Sequence, residues 1–234
     1  VDSLKQTVSD ACRVLAERGV VDGILGHVSV RVDAEHLLVR TRGPYEQGLR
    51  HTVPDDVRQV DLEGEGELGD WRVPNELPIH TEVLRARPDV GAVVHAHPPA
   101  LLLCGLAELS LRPVYGAFDI PGMRLAAEGV PVYPRSVLIR RRDLAQEMLA
   151  AMGDRPVCLL RGHGVTVTGA SVEEAVVRTI ALETLARVTL ELHRVGAEDV
   201  PPVSDADLAE LPDLGAGFNT GAQWRALLAD LPER

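Results

Sequence analysis

Short apolar or alternating runs suited to β-strands alternate along this chain with segments of helical periodicity, and that alternation limits the fold most. The pattern "HVSVRV" (27–32), "DAE", "HLLVRTR" (36–42) predicts a hairpin, and "VRQVDLEGEGELG" (57–69) a strand running into a Gly/Glu turn. "GAVVHAH" (91–97) and "VPVYP" (130–134) read as further strands. "PVCLLRGHGVTVTG" (156–169) reads as two strands broken at a glycine-flanked histidine. Between them lie helical patterns over 2–19, 78–90, 98–109 and 141–153. The longest, 171–196, opens on Ser171 with Glu174 three residues on, a capping box, and stops at Gly196. "GPYEQGL" (43–49) is turn-rich and expected as a loop, and the tail at "VSDADLAELPDL" starts again from a serine cap. Strands interleaved with helices predict an α/β chain around one central sheet. The hairpin argues against a purely parallel one. We expect one domain over residues 1–234.

Composition narrows the partners. Thirty-five acidic against 24 basic residues leave a net charge of −11, which disfavours a nucleic-acid binder. The basic stretch "IRRRD" (139–143) reads as a solvated loop. No apolar run is long enough to span a bilayer, and the first helix has no signal-peptide character, so we expect no membrane association and a cytoplasmic protein. Cys12, Cys104 and Cys158 are widely spaced in apolar contexts and read as reduced core residues. No Walker motif occurs, and nucleotide binding is not expected.

Chemistry concentrates in "VVHAHPP" (93–99). In a strand, residues i and i+2 face the same way, so His95 and His97 can aim two imidazoles at one point. A lone H-x-H is also an ordinary way for a buried strand to end. Two further features favour chelation: His163 between glycines at a strand break, and Glu76 in "VPNELPIH" in a turn before a helix. Three imidazoles and a carboxylate suit zinc or another divalent transition ion.

The ordered set "GHVSVR", "RGPYE", "PNELPIH", "RPDVGAVVHAHPP" and "RGHGVTVTGAS" resembles the class II aldolase/adducin family over nearly the whole chain. That family includes metal-dependent sugar-phosphate aldolases, an epimerase, a dehydratase, decarboxylases and non-catalytic adducin-type members. The resemblance implies a three-layer α/β/α fold around a mixed, largely antiparallel sheet. It also implies a homotetramer or larger ring with active sites between subunits. By position it makes His95, His97 and His163 metal ligands, and Glu76 a ligand that doubles as acid/base. The metal would be zinc, manganese, cobalt or iron. Tyr115 falls in a segment that supplies an acid/base tyrosine to the neighbouring subunit.

The sequence departs from the phosphate-binding members of that family. Where they carry Asn in "GNxS", a Thr-Gly pair and a Ser-Ser pair, this chain has His27, Arg42-Gly43 and Pro74-Asn75. Phosphate ligands are missing, and Arg42 suits a carboxylate instead. His27, Arg42, Gly43 and Asn75 are therefore the candidate substrate residues. His27 could orient a substrate group or simply pack, and Arg31 has a structural reading. His80 reads as second-tier or structural, and His36, His51 and His193 as surface residues without partners. Aromatic residues make up only 3% of the chain, which leaves Tyr45 and Phe118 as the nearest stacking candidates for a ring.

"GHVSVR" with "RGPYE" is similar to the decarboxylase branch. The expectation is a metal-dependent decarboxylase of a small hydroxylated aromatic or keto dicarboxylate. The alternatives are an aldolase cleaving a non-phosphorylated hydroxy-keto acid, and an adducin-like scaffold.

Overall fold

A computed structural model describes residues 1–232. Seven strands form one sheet: β1 (His27–Arg31), β2 (His36–Arg40), β3 (Val57–Asp61), β4 (Ala92–Ala96), β5 (Val132–Tyr133), β6 (Val157–Leu160) and β7 (Gly164–Gly169). Their order is β3-β2-β1-β4-β7-β6-β5, and every pairing is antiparallel except β5 with β6. The sheet is thus mixed and largely antiparallel.

Period-2 alternation divides the strand side chains between two cores. Val28, Val30, Ala92, Val94, Val165 and Val167 face one side. There they meet α1 (Asp2–Glu17), α3 (Pro99–Leu106), α4 (Ile120–Ala127) and α6 (Val172–Arg194). Leu37, Val39, Val93, Cys158 and Leu160 face the other, against α2 (Leu77–Ala86) and α5 (Arg142–Met152). Helices on both faces make three layers, α/β/α. Burial on both faces explains why β4 and β6 read as continuous apolar runs.

Local chemistry sets the element ends. Ser171 Oγ accepts from Glu174 N–H at the start of α6, while the Glu174 carboxylate reaches back to Ala170 N–H, one residue before the position a capping box predicts. Three helices were not expected from sequence. In α4, Gly122 and Pro121 dilute the helical pattern, yet Asp119 caps it by accepting from Gly122 N–H. Near the C-terminus, α7 (Asp205–Glu210) starts from the expected Ser204 cap, but the π-turn at Gly217–Ala222 and α8 (Gln223–Ala229) carry no cap signal. The latter are held by packing, with Leu227 buried against the α1/α6 layer.

All three cysteines are buried and free, as expected. Burial pushes the Cys12 and Cys158 thiols up to about 12 and Cys104 to about 11, so none is a ready nucleophile. His51 and His193 are exposed, but His36 differs from expectation: its Nδ1 pairs with Asp33 at 2.9 Å. The helix set among the described residues includes none long and apolar enough to cross a membrane.

Candidate metal centre

One end of the sheet gathers the C-terminus of β4, the N-termini of β1 and β7, and the exits of β2 and β6. His95 lies in β4 directly opposite His27 of β1. His97 follows two residues later on the same face. His163 sits in the turn between β6 and β7, and Gly164 lets that turn close: a Cβ there would stand 2.2 Å from Ala96 O and 2.8 Å from His97 Cδ2. Glu76 is the residue before α2, whose second position is Pro78, a place where a missing N–H costs nothing.

The Glu76 carboxylate is turned away from its own helix. Its Oε1 accepts from Ile139 N–H at 2.8 Å. Its Oε2 lies 3.3 Å from His95 Nε2 and 3.4 Å from His163 Nε2. The Nε2 atoms of His95 and His97 are 2.9 Å apart. All four donor atoms fall within 4.8 Å of one another. For bonds of ~2.05 Å, a tetrahedral ion needs donor–donor separations of ~3.3 Å, so this set fits a divalent transition metal.

Burial and proximity keep Glu76, His95 and His97 in the binding protonation state. Burial would raise the Glu76 carboxyl, but hydrogen bonds from His163 and His95 outweigh it and hold the group well below the usual carboxylate range. Desolvation, then the neighbouring His95 and His163, lowers His97 to about 3. Burial likewise lowers His95 against the pull of Glu76. Neutral imidazole and ionised carboxylate are the forms that ligate metal.

The chain leaving His97 is anchored from the opposite layer. Pro99 opens α3, so the first free helix donors are Ala100 and Leu101 N–H. The buried carboxylate of Glu183, on α6, accepts from both at 3.1 Å. It also places negative charge at the positive end of the helix.

The candidate substrate residues are distributed unevenly. His27 is buried, stacked on His95 with ring centroids 4.9 Å apart, and its Nδ1 is 2.6 Å from His80 Nε2. Arg42 leaves β2 half-buried; its backbone pairs with Arg72, and its Nη2 donates to Ile24 O at 3.4 Å. Gly43 lies against the Trp71 indole, where a Cβ would come within 2.8 Å of Nε1. Asn75 is exposed beside Glu76. Arg31 donates to the carbonyls of Leu84, Arg87 and Val90, in line with its structural reading.

Tyr115 is elsewhere. It packs on the core face opposite α2, edge-on to Phe118 at 5.2 Å. Its hydroxyl is buried beside the Asp119 carboxylate. Within one chain it is not part of the histidine cluster, and Phe118 goes with it. Tyr45 is 89% exposed.

Three contributors escaped the sequence reading. Ile139 N–H, inside the expected solvated loop, orients Glu76. Trp71 supports the Arg42-Gly43 turn. Ser29 bonds His80 Nδ1 at 2.6 Å and completes a chain under His27. Only the last had a visible signal, since Ser29 stands two residues from His27 on one strand face.

Comparison with known proteins agrees with this architecture. Residues 6–190 match the class II aldolase and adducin N-terminal domain. A 3,4-dihydroxyphthalate decarboxylase of Arthrobacter keyseri is 58% identical over 232 residues, covering 96% of this chain and 92% of the relative. The enzyme of that name from Rhodococcus jostii is 49% identical, covering 96% and 94%. An aldolase II superfamily protein from Pseudomonas syringae superposes with a TM-score of 0.83 at 22% identity, covering 98% and 92%, which supports the fold. The chain belongs to the class II aldolase and adducin family, within its decarboxylase branch.

Proposed function

We propose that this protein is a metal-dependent carboxy-lyase whose substrate is 3,4-dihydroxyphthalate or a close hydroxylated aromatic dicarboxylate. The carrying observation is the convergence of Glu76 Oε2 with three imidazole nitrogens in a chain 58% identical to a decarboxylase so named. A divalent ion held by His95, His97, His163 and Glu76, with zinc, manganese, cobalt and iron as the candidates, would supply Lewis-acid polarisation of the hydroxyl oxygen beside the scissile carboxylate.

The chain's own groups do the rest. Arg42 at the rim receives the carboxylate that is retained, through two parallel hydrogen bonds. Asn75 and the Arg42-Gly43 turn, backed by Trp71, shape the same side. The C–CO₂⁻ bond breaks, its electron pair stays on the ring carbon, and one proton forms the new C–H bond. Glu76, ionised at rest, would first take the proton of the substrate hydroxyl and then return it to that carbon from Oε2, while Ile139 N–H keeps Oε1 in position and a solvent proton restores the hydroxyl. Tyr115 of a neighbouring copy is the other candidate donor. With it goes a homotetramer or larger ring of single-domain chains, 1–234, with sites at the interfaces. Three buried free thiols favour a reducing compartment, the cytoplasm.

The test is CO₂ release from 3,4-dihydroxyphthalate and related di-acids, using enzyme stripped of metal and reloaded with each ion. Arg42→Ala is expected to raise KM ~10- to 100-fold at unchanged metal content, the worth of a hydrogen-bonded charge pair. Aldehyde release from hydroxy-keto acids with no CO₂ from any di-acid would overturn the proposal in favour of an aldolase.

A further inference from the structure

Beneath the four converging groups runs a second line of polar side chains. His27 and Ser29 sit two residues apart on β1 and face α2, from which fully buried His80 rises to meet them. His80 lies one helical turn after Glu76, so both point toward the sheet. His27 Nδ1 is 2.6 Å from His80 Nε2, and His80 Nδ1 is 2.6 Å from Ser29 Oγ. Ser29 is fully buried. Among the described residues its hydroxyl has this one hydrogen-bond partner.

Counting hydrogens along this line leaves two arrangements, since each neutral imidazole carries one N–H and the serine one O–H. In the first, Ser29 O–H donates to His80 Nδ1 and His80 Nε2–H donates to His27 Nδ1. His27 then carries its hydrogen on Nε2. In the second, every bond reverses. His27 Nε2 becomes a bare acceptor, and the Ser29 hydrogen points into the core with no acceptor. A buried donor without an acceptor is far rarer, and costs more, than an oxygen with a spare lone pair. The first arrangement is therefore favoured. Because the line ends at a buried serine, it cannot carry a net proton to or from solvent. It can only hold a direction.

We propose that Ser29 and His80 are positioning residues that lock His27 in its Nε2–H tautomer, so that His27 offers the substrate a hydrogen-bond donor for a carboxylate or phenolate oxygen and does not act as a base. This rests on the reading of His27 as part of the substrate's surroundings. It adds a direction to that contact, which neither the residue type nor its place in the strand supplies.

The experiment has two arms. The first needs no substrate: ¹⁵N-histidine-labelled, zinc-loaded protein, with long-range ¹H–¹⁵N correlations of the imidazoles and the His27 signals assigned by their loss in His27→Gln. The expected spectrum shows His27 protonated at Nε2 and acceptor-like at Nδ1. Protonation at Nδ1 overturns the proposal whatever reaction the protein performs. In the second arm, kinetics with the di-acid that releases CO₂, His80→Leu and Ser29→Ala are expected to raise KM ~10-fold or more, with kcat and bound metal nearly unchanged. His80→Gln, whose amide can reach where Nε2 stood, is expected to restore KM. An unchanged KM in folded His80→Leu would overturn the role of the line in substrate binding. Should no di-acid release CO₂, the functional reading fails, and the tautomer is still decided by the first arm.

Discussion

Replacing Gly164 with alanine probes how closely the ligand strands must approach. The added Cβ would stand 2.2 Å from Ala96 O and 2.8 Å from His97 Cδ2. A carbon and a carbonyl oxygen ordinarily stay ~3.3 Å apart, so β7 and β4 must separate by about 1 Å at this point. The obstacle is backbone, which cannot rotate away as a side-chain tip would. Overpacking of this kind costs about 1–3 kcal/mol, or a fall in melting temperature of roughly 2–12 °C for a chain of this length. The larger consequence is at the cluster, because His163 immediately precedes Gly164 and His97 follows Ala96. Ligand distances tolerate only ~0.2 Å of error, so a shift of ~1 Å is expected to cost at least ~10-fold in metal affinity. The assays are zinc or manganese titration and melting with and without metal, beside Gly217→Ala, where a Cβ would meet nothing within 4 Å. If Gly164→Ala binds metal as tightly as the parent, the close approach does not position the ligands, and the reasoning fails.

Two further outcomes follow from the same geometry. Glu76→Gln keeps the shape but cannot deliver a proton, so CO₂ release should fall ~10²- to 10⁴-fold with the protein still folded; a scaffold would keep its function unchanged. The pH dependence of metal-free stability should report on buried His80, which desolvation, then His95, lowers from 6.5 to about 3. Between those values the unfolded chain binds the extra proton, so stability is full above pH ~6.5 and is lost as pH falls toward 3. From pH 7 to pH 5 the share of His80 alone is roughly 2 kcal/mol, added to those of His27, His95 and His97, which burial also lowers. Urea midpoints at the two pH values should show the sum, and His80→Gln should remove only its own share.

What sequence alone determines here is whatever depends on short-range periodicity. Two-residue alternation set His95 and His97 on one face, and set Val28 and Val30 opposite His27 and Ser29. Helical spacing with a serine cap marked α6, and the apolar run marked β4 as buried on both faces. Glycines around His163 announced a tight turn. Elements held only by distant packing stayed silent: α4 is diluted by proline and glycine, and α8 lacks a cap, so nothing local distinguishes them from loop. The same limit applies around the cluster. Ile139 offers a backbone N–H, which every residue but proline has, and only the fold brings it to Glu76 across 63 positions. Ser29 and His80 are 51 residues apart, and Glu183 lies 83 from the helix end it caps. Tyr115, assigned by resemblance to the site of a neighbouring subunit, lies on the other core face of its own chain. Residue type and local period specify which side chains are able to bind a metal or a carboxylate. Which nitrogen carries the hydrogen, and which backbone amide steers the carboxylate, depend on contacts between segments remote in sequence, and those only the tertiary structure decided.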